Sequence, residues 1–130
     1  MTPLWQLSAT DQAAGIRDGS FTSAAVVESV LERVAQKNPE LNAIVDPMEE
    51  QALLASEKAD NTVASGRKLG LLHGVPVTIK VNVDTKGRPT TNGMEAFKDI
   101  IAPDNSPIVQ NLLNAGAIII GRTNTPEMSM

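Results

Sequence analysis

Between Val75 and Asp84 the chain alternates apolar and polar residues with a period of two. Val75, Val77, Ile79, Val81 and Val83 fall on one side, and Pro76, Thr78, Lys80, Asn82 and Asp84 on the other. That period is the side-chain repeat of a strand, and β-branched residues suit its packed face. The stretch therefore reads as a half-buried strand that sets Lys80 on the polar side, between Thr78 and Asn82. A lysine there can lay its aliphatic stem along apolar surface while its amine reaches a polar site. Most lysines in such positions are solvated charges. Alternation alone does not decide between that role and a chemical one.

The flanking segments carry helix signals. Ser8 reads as an N-cap with Asp11 as its capping-box partner, and Gly19 as the stop after Asp18. A second helix is expected after Thr22 or Ser23, with an apolar stripe of Val26, Val27, Val30, Leu31 and Val34, ended by Asn38-Pro39. Leu41 to Val45 reads as a short extended piece. Asp46-Pro47 then reads as the N-cap and first residue of a helix that runs to about Ser65 and closes at Gly66. Beyond the lysine strand, residues 86–89 form a turn. Ser106-Pro107 opens a helix that stops at Gly116, and residues 117–120 form an apolar strand buried on both faces. Strand, helix and buried strand in this order predict part of a layered α/β sheet. Gly74 and Gly93 read as positions needing positive φ or close backbone approach. His73 reads as a turn residue bonded to backbone, and Asp104 as a brace for its loop or an offset to the helix dipole.

Composition removes several classes of chemistry. The 130 residues suffice for one modest core, and their 42% apolar and 20% charged content is that of a globular chain. Without cysteine there is neither disulfide nor thiolate chemistry. A single histidine leaves no histidine-paired nucleophile, so no metal or other cofactor is expected. A net charge of −4 without a basic run argues against nucleic acid as a partner. No stretch is apolar for long enough to span a membrane, and no basic-then-apolar leader is visible. The expected location is cytoplasmic.

Several words in fixed order around Lys80 narrow the reading. They are Gly-Val-Pro-Val-Thr-Ile-Lys-x-Asn-x-Asp over 74–84, Gly-x-Pro-Thr-Thr-x-Gly over 87–93, Ala-Pro-Asp-Asn-Ser-Pro over 102–107, and Leu-Asn-Ala-Gly-Ala-Ile-Ile-Ile-Gly-Arg-Thr-Asn-Thr-Pro-Glu over 113–127. Together they resemble the amidase signature family of amide hydrolases, closely over about half the chain and loosely elsewhere. The resemblance implies an α/β fold in which a mixed β-sheet is flanked by helices. It implies that Lys80 is the base of a Ser–cis-Ser–Lys triad, and that Met128 and Ser129 fall where family members line the acyl-side substrate pocket. The substrate would be a small-molecule amide. A free lysine, with a pKa near 10.4, is protonated at pH 7, and burial with few countercharges is what makes lysine a workable base. One departure stands out: many members carry Asp where this chain has Val81.

The expected organisation is the N-terminal portion of one domain, helical over 1–66, with the lysine strand and an α/β segment over 67–130. Thr125-Pro126-Glu127 announces a helix, yet only Met128, Ser129 and Met130 follow, so a fragment is expected. No serine lies in a Gly-rich turn that would expose a nucleophile beside backbone N–H donors. The chain alone is thus expected to be inactive and prone to self-association through incomplete faces. Two other readings stand beside this one. One is a non-catalytic α/β binding module. The other is the signature-bearing subunit of a tRNA-dependent amidotransferase.

Overall fold

The computed structural model describes residues 2–130. Its first elements follow local chemistry. Ser8 accepts from the N–H of Asp11 to open α1 (Ala9–Asp18), which closes on Gly19 at φ +81°. Thr22 accepts from the N–H of Ala25 to open α2 (Ser23–Leu41). Ser23 is therefore not the cap; its hydroxyl donates instead to the Gly74 carbonyl at 2.8 Å.

Pro39 does not end α2, which continues through it to Leu41. A proline in the last turn forfeits only its own N–H, and the helix tolerates that loss. The actual terminator is Asn38. Its Oδ1 accepts from the N–H groups of Ala43 and Ile44, each at 2.9 Å, and Nδ2 donates to the Ile44 carbonyl. Asn42 adopts φ +47°, the left-handed turn that asparagine tolerates better than most residues.

Asp46-Pro47 is the clearest departure from expectation. Both residues belong to a strand, β1 (Ile44–Pro47), and α3 (Glu49–Ala64) begins after Met48 without a side-chain cap. The Asp46 carboxylate is taken by two guanidinium groups, from Arg88 and Arg122, and these outweigh the helix end.

β2 (Pro76–Lys80) is the alternating strand, shorter than its pattern, because the chain turns directly after Lys80. Val75, Ile79 and Val81 are buried, and Thr78, Lys80 and Asp84 are exposed, as the period of two requires. Ser106 caps α4 (Pro107–Asn114), whose first residue is proline. The apolar strand, β3 (Ile118–Thr123), runs past Ile120 through Gly121 and Arg122.

The sheet order is β1-β3-β2, with β1 antiparallel and β2 parallel to the central β3, so the sheet is mixed. Ile118 and Ile120 pack on Val27, Ala52 and Ala59 of α2 and α3. Ile119 packs the other way, with Ile79, against Val109 of α4. Burying each isoleucine contributes about 1.5–3 kcal/mol. The sheet is thereby sandwiched between helical layers. A third cluster, Ala13, Ile16, Val26 and Val75, seats α1 beside the start of β2. There Gly74 has φ +78°, and a Cβ would lie 2.8 Å from Ser23 Oγ, so both positive φ and close approach require glycine.

Candidate active site

Parallel β2 and β3 deliver their carboxyl ends to the same side of the molecule, the edge at which open α/β sheets place ligands. Lys80 is the last residue of β2 and pairs with Thr123, the last of β3. Just beyond, Val81 N–H donates to the Thr123 carbonyl at 2.9 Å, and Val83 N–H turns back to the Lys80 carbonyl at 3.0 Å. Asn82 Nδ2 donates to Ser129 Oγ at 3.1 Å, and Thr125 Oγ1 lies 3.3 Å from the same hydroxyl.

A third segment closes the group. Met128 N–H donates to the Asn92 carbonyl at 2.8 Å. Gly93, at φ +76°, passes so close to 125–126 that a Cβ would sit 2.5 Å from the Thr125 carbonyl oxygen. Residues 80–83, 91–93 and 124–129 thus converge, although they are far apart in the chain. The announced helix at Thr125-Pro126 is one 3-10 turn, Glu127–Ser129. No side chain caps it, and Met128 has left-handed geometry at φ +55°.

Lys80 itself is exposed and makes no side-chain hydrogen bond or ion pair among the described residues. Asp84 is engaged elsewhere, accepting from Thr90 Oγ1 at 2.6 Å. Met128 is half exposed and Ser129 exposed. The Asn82 side-chain oxygen is buried without a donor. His73 bonds the Ala59 carbonyl at 2.9 Å, a backbone tie. Asp104 accepts only from the N–H of the adjacent Asn105, and it is Asn105 that spans the loop, accepting from the N–H of Lys86 at 2.8 Å and donating to Gln110 Oε1 at 3.2 Å.

Behind the lysine strand lies a charged cluster that sequence reasoning missed. Arg122 is paired with Ile79 in the sheet register and is fully buried. Its Nη1 donates to the Pro89 carbonyl and to Asp46 Oδ2, and Nη2 donates to the Val83 carbonyl at 3.0 Å. Arg88 meets the same carboxylate through Nε and Nη2. Burial lowers the Arg122 pKa from the ordinary arginine range, and the hydrogen bond and charge of Asp46 oppose that shift. A cavity of about 410 Å³ opens beside the cluster, lined by Val81, Thr91, Met94, Arg122 and Asn124 among others. Lys80 is not among its lining residues, because the alternation of β2 sends it to the opposite face of the sheet.

The family model for Amidase matches residues 25–130. The chain belongs to the amidase family. Over 98% of its length it is 54% identical to the indoleacetamide hydrolase of Bradyrhizobium diazoefficiens, of which it spans 24%. It is 35% identical, again over 98% of its length, to a glutamyl-tRNA(Gln) amidotransferase subunit of Natranaerobius thermophilus, spanning 26% of that protein. Among solved structures, a bacterial aryl acylamidase of the amidase signature family superposes on it with a TM-score of 0.90 at 26% identity. That superposition covers 98% of this chain and 27% of the other. The chain therefore spans about a quarter of the length of the amidase-family proteins it matches. Among the described residues, no group of three His, Cys, Asp or Glu side chains could hold a metal ion. No helix among them is long and apolar enough to cross a membrane.

Proposed function

We propose that this chain is the N-terminal portion of an amidase domain and supplies the lysine base of a hydrolase that cleaves a carboxylic amide to an acid and ammonia or an amine. The observation that carries the reading is the position of Lys80. It ends β2 at the carboxyl edge of a parallel strand pair, inside a segment matched by the family model. The serines of the triad would come from segments outside these 130 residues. In the working site the neutral amine takes a proton through a bridging serine from a nucleophilic serine. The nucleophile attacks the amide carbonyl carbon, the amine leaves with a proton, and water then hydrolyses the acyl-enzyme. The base role requires an uncharged amine, so other layers of the fold must cover Lys80 in the working enzyme. Met128 and Ser129, beside Asn82 at the same edge, are assigned to the wall that meets the acyl part of the substrate.

Exposed apolar side chains at Leu71, Ile101 and Ile108 support the view that further layers pack on this portion. They also lead us to expect that the isolated chain self-associates; its inactivity is expected because none of its serines lies in a Gly-rich turn. A second reading, the amidotransferase component, is favoured by the 35% identity to such a protein, but the 54% identity to a hydrolase weighs more.

The experiment is a hybrid in which this chain replaces the matching quarter of the Bradyrhizobium indoleacetamide hydrolase. A folded hybrid that hydrolyses indoleacetamide supports the hydrolase reading. A hybrid that folds and does not turn over counts against it.

A further inference from the structure

We propose that Arg122 is a positioning residue for the lysine strand, holding the 81–92 loop in the shape that presents Lys80 and Asn82. The proposal rests on the assignment of Lys80 as base. Three observations carry it. First, Arg122 stands directly behind the lysine: it pairs with Ile79, one residue before Lys80, on the sheet face opposite the amine. Second, its guanidinium is fully buried and donates to two main-chain carbonyls of one loop, Val83 and Pro89, and to Asp46 of β1. One side chain thus ties the central strand, the edge strand β1 and both arms of the loop that follows Lys80. Third, that loop returns to the site, where Asn92 N–H reaches the Val81 carbonyl and the Asn92 carbonyl accepts from Met128 N–H. A shift of the loop therefore moves the 80–82 and 91–93 segments together against 124–129.

The fixed fork of arginine is what the arrangement uses. Two carbonyls and a carboxylate lie in different directions, and the compact ammonium of lysine cannot meet all three from the same Cα. Arg88, a residue of the loop itself, ties it to β1 through the Asp46 carboxylate and the Pro47 carbonyl, but its side chain bonds neither the Val83 nor the Pro89 carbonyl. Arg122 is thus the one of the two that holds both arms of the loop against the central strand.

The test uses the hydrolase hybrid, with Lys80→Ala as the separate check on the underlying reading. If Lys80→Ala leaves turnover intact, the base assignment fails whatever Arg122 does. Given an inactive Lys80→Ala, R122K is expected to lower kcat on the order of 10–100-fold with KM within about twofold, because displacement of a reacting group costs turnover more than binding. The acidic limb of the pH–rate profile should shift, since the surroundings of the amine change. Should R122K not fold, R122M leaves Asp46 paired with Arg88 and lacks the carbonyl bonds, and the same loss of kcat is expected. A folded R122K or R122M with parental kcat and pH profile overturns the proposal.

Discussion

Asn82 and Ser129, 47 residues apart in the chain, are joined by a 3.1 Å hydrogen bond from Nδ2 to Oγ at the carboxyl edge of the sheet. The bond pins 124–129 against the turn after Lys80. Asn82→Ala removes the donor and should loosen that segment by about 1 kcal/mol, the usual net worth of one hydrogen bond. Hydrogen exchange at the Met128 amide, bonded to the Asn92 carbonyl, should speed up roughly fivefold while β3 amides are unchanged. Unchanged exchange at Met128 would show that the bond holds nothing.

Asp60 of α3 accepts from the N–H groups of Ser23 and Ala24, at 2.7 and 3.0 Å, and so caps α2 from a neighbouring helix. A carboxylate at a helix N-terminus satisfies orphan donors and opposes the helix dipole. Asp60→Ala should cost about 1–2 kcal/mol in chemical denaturation, and Asp60→Asn, which keeps one acceptor, less. Equal stability of all three would remove this cap from the account.

Asp46 is shared by Arg88 and the fully buried Arg122. Asp46→Ala leaves a buried guanidinium without its counterion and should cost about 3–5 kcal/mol in urea unfolding. D46L/R122M should recover part of that loss, since the buried charge is gone but Arg88 is left without its carboxylate. A near-neutral Asp46→Ala would mean that the Val83 and Pro89 carbonyls alone satisfy Arg122.

Asp18 is held below the ordinary carboxylate value of 3.8 by hydrogen bonds from the hydroxyl and then the N–H of Ser20. A depressed acid pKa stabilises the fold above the unfolded-state value, and that contribution is lost as pH falls through the folded-state value. Titration of the Asp18 carboxyl by NMR should therefore give a midpoint below 3.8, which Ser20→Ala moves upward. An Asp18 midpoint unaffected by Ser20→Ala would contradict the assigned cause.

Elements set by neighbours in sequence are legible from the chain. The caps at Ser8, Thr22 and Ser106 act within three residues, and Gly19, Gly66 and Gly116 stop their helices at positive φ. What depends on distant partners is not. Asp-Pro suits a helix start as well as a strand end, and only Arg88 and Arg122, 42 and 76 residues away, decide for the strand. Gly121-Arg122 breaks the apolar run of the last strand, so the pattern alone ends it at Ile120. The carbonyls that make burial of Arg122 tolerable belong to a loop whose path no local pattern shows. Lys80 stands out through alternation and the words around it. Its nearness to 91–93 and 124–129 follows from the parallel pairing of β2 with β3, which requires a crossover through α4.

The central claim is that Lys80 is the proton acceptor of an amide hydrolase. The most direct measurement is kcat/KM of the hydrolase hybrid with Lys80→Ala against its parent, both shown to be folded. A fall on the order of 10²–10⁴-fold is predicted, the range a positioned general base supplies. Turnover within about twofold of the parent would contradict the account, because general-base catalysis would then lie elsewhere.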